Sequence, residues 1–428
     1  MDLTKIKKIH FIGIGGIGMS ALARHFLAEG VTVSGSDRSP SPITEALEGE
    51  GVYFFASQAK ENITPNIDLV VYTEAIAQDH EELVEAHVLG IKTRSYFEAL
   101  GLVANGHYVI AIAGAHGKTT TTAMLIDIFE DAGFDPSAVV GSLRARTGKN
   151  YRQGKSKYFI VEACEYKRDF LHLEPDILIL TNIEAEHLDY YKDLDDVIDA
   201  FHSLAAKVPE NGFILCNPKD LAIKRVIEGV SAKIVDTTIF IDTLMPMKVP
   251  GLHNRLNAAQ ALACAARVGI SEEAAKETLA HFTGTWRRFE RKGTMSSGAL
   301  VYDDYGHHPT EIAATLQGAR ELYPDKKILL VYQPHMYSRT HALFDDFVTA
   351  LSKADEVFLL PIYAAREENV SGVTSMQLRD AVRKNILAQS FETFAEVVTE
   401  VKKQADNNTV VLVMGAGDVY KIAESLIA

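Results

Sequence analysis

The chain is short of several things, and each shortage removes a class of protein. Its 428 residues include three cysteines, Cys164, Cys216 and Cys264, with no C-x-x-C pair. That argues against a disulfide framework or a cysteine zinc site and predicts a reducing compartment. No run of about 18 apolar residues occurs, so no transmembrane helix is expected. The opening stretch, "MDLTKIKKIHFIGIGG", enters a strand-like run directly, without the apolar core and small-residue cleavage site of a signal peptide. The expected location is the cytoplasm. Basic residues are outnumbered, 43 Lys and Arg against 57 Asp and Glu, for a net charge of −14. This argues against nucleic acid or an anionic membrane surface as partner. An anionic small substrate would need local cations or a metal to hold it. Short-period repeats and low-complexity tracts are missing as well.

What is present is an alternation of strand-like apolar runs with helical patterns, the signature of parallel α/β layers. Three segments each read as strand, glycine turn, helix: "IHFIGIGGIGMSALARHFL", "YVIAIAGAHGKTTTTAMLIDIF" and "TVVLVMGAGDVYKIAESLI". Their spacing predicts three domains, 1–106, 107–285 and 286–428. Leu256 to Val268 reads as a helix, and Ser271 as the N-cap of another, with Glu272 and Glu273 in its first turn.

The first turn, Gly13-x-Gly15-x-x-Gly18, matches the dinucleotide fingerprint, and Asp37 follows where a ribose-binding acid belongs. Physically, a helix N-terminus approached closely by backbone can hold the diphosphate of any nucleotide. The second turn departs from the usual phosphate loop, G-x-x-x-x-G-K-[ST], because Ile112 stands where the first glycine belongs. His107 to Ala113 still reads as a buried strand, and Thr120 to Ala132 as a helix ended by Gly133. Backbone N–H groups from Gly114 to Thr119 can surround a phosphate, Lys118 can reach it, and the Thr119 hydroxyl can ligate Mg²⁺. Two further apolar runs end in carboxylates. "KYFIVEACEY" carries Glu162 and Glu165. "DILILTNIEAEHLDYY" carries Glu184, Glu186, His187 and Asp189. Such strand ends are where open α/β sheets place ligands and a second Mg²⁺ ligand.

These motifs together resemble the Mur ligases of peptidoglycan synthesis, whose loop G-[TA]-[HN]-G-K-[TS]-[TS] also lacks the far glycine. The resemblance runs in order along nearly the whole chain. It takes in "HFIGIGGIGMSALA", "VSGSD", "AGAHGKTTTT", "EACEY", "TNIEAEHLDYY", "VPGLHNRLNAAQAL", "WRRFE", "DDYGHHPTEI", "YQPHMYSRT" and "MGAGDVY". It implies three α/β domains: a Rossmann-like UDP-binding domain, a phosphate-loop ATPase domain and a Rossmann-like C-terminal domain. The implied reaction uses ATP with Mg²⁺ to phosphorylate the lactyl carboxylate of UDP-N-acetylmuramate, and an amino acid then attacks the acyl phosphate. "DDYGHHPTE" with "QPHMYSRT" implies L-alanine as that amino acid. A ligase that recycles a whole tripeptide onto the same sugar is the rival. Monomer and homodimer are both compatible with the sequence.

By the same resemblance, Gly114, Ala115, His116, Gly117, Lys118, Thr119 and Thr120 bind ATP phosphates. Asn254, Asn257 and Asp304 face its nucleoside side. Gly15, Gly16, Ile17, Gly18 and Asp37 bind the UDP-sugar. Thr119, Glu162 and His187 serve the metal. Lys118, His187, Arg288 and His307 carry the chemistry, and His335 and Arg339 meet the amino acid. Four departures stand out. Ala115 and Glu186 replace a common threonine and aspartate. Cys164 replaces a common aspartate, leaving the role of Glu165 open. Met336 replaces a common arginine, for which Arg366 is a candidate substitute. Two other classes remain in play. An NAD-dependent oxidoreductase would leave the second loop unused, and a non-catalytic nucleotide sensor would leave Glu162, His187 and the C-terminal motifs unused.

Overall fold

The computed structural model describes residues 2–427 apart from 188, 189 and 366, so Asp189 and Arg366 lie outside the described residues. The rest forms three sheets with helices between the strands. The first sheet holds β1 (Lys8–Ile12), β2 (Thr32–Ser36), β3 (Tyr53–Phe55), β4 (Leu69–Tyr72) and β5 (Lys92–Ser95) in the order β3-β2-β1-β4-β5. All its pairings are parallel. The second holds β6 (Tyr108–Ala113), β7 (Ser137–Val139), β8 (Tyr151–Arg152), β9 (Tyr158–Ala163), β10 (Ile177–Leu180), β11 (Phe213–Cys216) and β12 (Lys233–Asp236), ordered β12-β11-β10-β6-β9-β7-β8. Only its β7–β8 pairing is antiparallel. The third holds β13 (Glu290–Thr294), β14 (Leu300–Asp304), β15 (Lys327–Tyr332), β16 (Glu356–Leu359), β17 (Leu387–Ser390) and β18 (Thr409–Met414), ordered β13-β14-β18-β15-β16-β17.

The buried-strand reading of β6 holds for a physical reason. Val109 through Ala113 have no exposed surface. A parallel strand covered by helices on both faces must be apolar on both faces, so its sequence shows no alternation. The helix after it runs Lys118–Asp131, with Gly133 just past its end. Ser271 caps the helix Glu272–His281 by accepting from the Ala274 N–H. All three glycine turns follow an interior strand: β1 lies between β2 and β4, β6 between β10 and β9, and β18 between β14 and β15. The switch in strand order at these places opens a crevice beyond the carboxyl ends of the strands.

The chain forms two compact units, residues Met1–Pro246 with Leu256–Phe282, and residues Met247–Arg255 with Thr283–Ala428. The division falls inside the helix Leu252–Val268. The first unit contains the first two sheets, and a buried asparagine ties them together. Asn150 Nδ2 donates to the Ile17 carbonyl at 2.5 Å and to Ser20 Oγ at 2.9 Å, while its Oδ1 accepts from Arg24 at 2.7 Å. These are groups of the helix that follows the first glycine turn, so that helix is anchored to the β7–β8 side of the second sheet. All three cysteines are free thiols, and burial pushes the Cys164 and Cys216 thiols up to about 12. No helix among the described residues is long and apolar enough to cross a membrane.

Candidate active site

At the first turn, Gly16 is the N-cap of the helix Ile17–Ala28, so Ile17 and Gly18 stand in its first turn. The Gly15 N–H donates to Asp37 Oδ2 at 2.8 Å, and the Arg38 N–H to Asp37 Oδ1 at 2.7 Å. Here Asp37 braces the turn through Oδ2 and its own following residue through Oδ1. At Gly18 a Cβ would lie 2.6 Å from the Tyr96 ring and hydroxyl. Close packing therefore demands the third glycine.

The second turn is held from behind by the strand end after β10. The Ala115 N–H donates to the Asn182 carbonyl at 3.2 Å and the His116 N–H to Asn182 Oδ1 at 2.9 Å. Thr181 Oγ1 and Asn182 Nδ2 both donate to the His116 carbonyl, at 2.6 and 3.0 Å. The missing far glycine costs nothing here, because the tight positions are elsewhere. Gly114 has φ +138° and a Cβ there would sit 2.0 Å from Thr181 Oγ1. Gly117, the N-cap, has φ +86° and a Cβ would sit 2.4 Å from Asn257 Oδ1. A side chain at either place meets both strained backbone and a clash. Asn257 thus lies against the loop, whereas Asn254 donates to the Pro250 carbonyl at 2.7 Å. Thr120 is half-buried in the first turn of the helix.

Thr119 Oγ1 lies 2.9 Å from Glu162 Oε2, and the Gly141 N–H donates to the other oxygen of Glu162. A hydroxyl beside a carboxylate at a phosphate loop is a hard oxygen pair, the donor chemistry that Mg²⁺ takes. Lys118 Nζ lies 2.9 and 3.1 Å from the two oxygens of Glu165. His187, held at φ +56°, brings Nε2 to 3.5 Å from Glu165 Oε1. Burial works to raise the Glu165 pKa, but the Lys118 charge and hydrogen bonds from His187 and Lys118 outweigh it and hold the carboxyl down at about 2. Lys118 is correspondingly raised: burial opposes its charge, and Glu165 more than compensates. The structure thus brings Lys118, Thr119, Glu162 and His187 together. It adds Thr181 and Asn182, which the sequence reading did not place in the site, and it pairs Glu165, a candidate carboxylate whose role was open, with Lys118. The signal for Glu165 was its position three residues after Glu162 at a strand end. Its partner could not be read from the chain.

In the second unit, the carboxyl ends of β14 and β15 bring three more expected residues together. The His307 and His335 rings lie 5.7 Å apart, His335 stacks on Tyr363, and Arg339 Nη1 lies 3.3 Å from His335 Nδ1. Arg288 Nη1 lies 3.4 Å from Glu311 Oε1, and Glu311 Oε2 accepts from the His307 N–H at 2.9 Å. Asp304 is engaged by backbone: Oδ2 accepts from the Phe289 N–H and Oδ1 from the Gly306 N–H, both at 2.7 Å. Burial raises its pKa, with Arg288 acting the other way. Met336 has φ +71° and its N–H donates to the Tyr363 carbonyl at 2.9 Å.

Burial pushes His307 down to about 3, against the pull of Glu311 and with the push of Arg339 and His335. Burial, then Arg339, pushes His335 down to about 4. Both rings are neutral near pH 7, and both would take a proton near 6.5 once unfolded. A depressed histidine contributes stability above its unfolded pKa and loses it as pH falls toward the folded value. We expect the urea midpoint of the second unit, followed by the fluorescence of Trp286, to fall between pH 7 and pH 5. His307→Asn should flatten that fall. An equal fall in the variant would mean that His307 is not depressed.

This geometry places the chain among α/β proteins with a glycine loop at a strand end that carries a lysine and a hydroxyl. Comparison with known proteins narrows the class. Three family descriptions match in order: "Mur ligase family, catalytic domain" over residues 8–108, "Mur ligase middle domain" over 112–244 and "Mur ligase, glutamate ligase domain" over 287–417. The UDP-N-acetylmuramate–L-alanine ligase of Clostridium acetobutylicum is 41% identical, across 99% of this chain and 98% of that protein. Among solved structures, the UDP-N-acetylmuramate-alanine ligase of Thermotoga maritima matches with TM-score 0.81 at 27% identity, over 98% of both chains. A murein peptide ligase from Psychrobacter arcticus matches with TM-score 0.70 at 24% identity over 98% of both, a likeness of fold. The chain belongs to the Mur ligase family.

Proposed function

We propose that the chain joins L-alanine to the lactyl carboxylate of UDP-N-acetylmuramate at the expense of ATP, releasing ADP and phosphate, a step of peptidoglycan precursor synthesis in the cytoplasm. One observation carries the reaction class: the loop in which Lys118, the Thr119–Glu162 oxygen pair and His187 converge. The relatives that match over nearly their whole length carry the choice of substrates. In this reading residues 1–106 hold the UDP-sugar, 107–285 ATP, and 286–428 the amino acid. The site works on small molecules, with no nucleic acid or membrane.

Phosphoryl transfer needs positioning and charge neutralisation more than covalent help from protein. The carboxylate oxygen of the sugar attacks the γ-phosphorus, the bond to the ADP oxygen breaks, and an acyl phosphate forms. The N–H groups of Gly117, Lys118 and Thr119 at the helix start and the Lys118 ammonium meet the charge that develops, while those of Ala115 and His116 are held by Asn182. A first Mg²⁺, held by Thr119 and Glu162, and a second, held or positioned by His187, would supply further neutralisation. The amine of alanine then attacks the acyl carbon, a C–N bond forms and phosphate leaves with the C–O pair, the amine giving up a proton. His307 and His335 suit this step because neutral imidazoles accept N–H bonds without repelling an amine. Arg339 pairs the α-carboxylate, a bidentate contact that fixes orientation.

The test is the initial rate of ADP formation with ATP, Mg²⁺ and UDP-N-acetylmuramate, adding one amino acid at a time. L-Alanine should be fastest. One methyl in an apolar pocket is worth roughly 1–3 kcal/mol, so glycine should be about 10- to 200-fold poorer and L-serine incompletely rejected. D-Alanine should fail, because inversion misplaces either amine or methyl. Preference for the L-Ala-γ-D-Glu-diaminopimelate tripeptide would move the chain to the recycling ligase. No response to any addition would leave only nucleotide hydrolysis.

A further inference from the structure

Lys118 is fully occupied within the protein. Its ammonium donates to the carbonyls of Gly114 and Ala115 and to the carboxylate of Glu165. An ammonium has three protons, and these partners take all of them. The Glu165 side chain is 4% exposed, and the Tyr191 hydroxyl ties its carbonyl in place at 2.5 Å. Its carboxylate also faces a second group: ligand atoms of Glu165, Glu186 and His187 all lie within 4.8 Å of one another. A nucleotide phosphate entering the loop brings negative charge to the ammonium and up against Glu165. The phosphate attracts Lys118, and the carboxylate, left without its cation in a poorly solvated site, then needs another.

We propose that Glu165 is a positioning residue that exchanges partners: it holds Lys118 in the nucleotide-free loop, yields it to the incoming phosphate, and then pairs, with Glu186 and His187, with the divalent cation that accompanies the nucleotide. The proposal rests on reading 114–119 as a nucleotide phosphate loop. It makes nucleotide and cation binding one linked step. Without a divalent cation, binding a nucleotide requires breaking the Lys118–Glu165 pair with no compensation for Glu165. With the cation, that penalty disappears. Linkage of this kind is reciprocal and commonly amounts to 5- to 150-fold in affinity. A pair kept only for structure would show no such linkage.

The experiment is calorimetric titration of the full chain with ADP, once in chelator and once in excess Mg²⁺. ADP suffices because a phosphate-loop lysine reaches the β-phosphate, and no turnover intrudes. Glu165→Gln keeps the shape and removes the charge. It should bind ADP in chelator about 10-fold more tightly than wild type, while the gain in affinity on adding Mg²⁺ shrinks to about 3-fold or less. Glu165→Asp retains the charge and should restore most of the Mg²⁺ gain, and it carries the test if Glu165→Gln does not fold. Equal or weaker ADP binding by folded Glu165→Gln in chelator, or an undiminished Mg²⁺ gain, overturns the exchange. Lys118→Met separates the two readings. If it loses ADP affinity while Glu165→Gln behaves as wild type, the loop stands and the exchange fails. If Lys118→Met binds ADP as wild type does, the phosphate-loop reading itself fails.

Discussion

Lys118→Ala should lower turnover at least about 100-fold, because it removes a preorganised charge from the place where negative charge develops. The structure adds a second expectation. Lys118 is paired with Glu165, whose side chain is 4% exposed, so the single substitution leaves a buried carboxylate without its lysine partner, with the His187 contact remaining. Breaking a buried pair from one side typically costs about 3–5 kcal/mol, and the variant should therefore be less stable as well as slow. Lys118→Met combined with Glu165→Gln separates the effects. That double variant should regain most of the stability and none of the turnover. Thermal unfolding and ADP release on the same samples measure both. Recovery of turnover with stability would show that Lys118 acts through folding alone and would remove it from the chemistry.

Arg287→Ala should destabilise the second unit by about 3–5 kcal/mol. Arg287 is 4% exposed and its guanidinium holds the glycine turn after β18. Nε lies 3.0 Å from Asp303 Oδ2, Nη1 donates to the Gly417 carbonyl at 2.9 Å, and Nη2 donates to the Gly415 carbonyl. The Tyr305 and Tyr420 rings flank it, with centroids 5.1 and 5.0 Å from its central carbon. Removing the side chain strands a fully buried carboxylate and two carbonyls. Lysine would not rescue it, since a point charge cannot span the same fork. Trp286, the single tryptophan, lies next in the chain and 5.8 Å from the Tyr420 ring, so its fluorescence during urea unfolding reports the loss directly. A change below about 1 kcal/mol would mean that the turn is held by other contacts.

The adjacent arginines of "WRRFE" show where sequence reading stops. The family resemblance singles out Arg288, which lies 3.4 Å from Glu311, beside His307. Nothing in the string distinguishes the residue before it, yet Arg287 is the buried staple. Asp37 and Asp304 differ in the same way. Residue type and place at a strand end made Asp37 a candidate ligand, and the family resemblance made Asp304 one. In the structure both oxygens of each accept backbone N–H bonds that shape a turn.

The sequence by itself determined the layered α/β class, the strand–turn–helix character of the three glycine segments, the glycine loop that ends in Lys118 and Thr119, and the carboxylates at strand ends. These are local properties: apolar runs set by two-sided burial, caps set by side chains a few residues away, and a loop whose turns need glycine at positive φ. The tertiary structure decided which distant groups meet. It set Asn182 behind the loop, Glu162 against Thr119, Glu165 between Lys118 and His187, and His335 beside His307 and Arg339. Those pairings depend on strand order, which places β9 and β10 on either side of β6, and β14 and β15 on either side of β18. Strand order follows from the packing of whole helices against whole sheets, so no short stretch of the chain contains it.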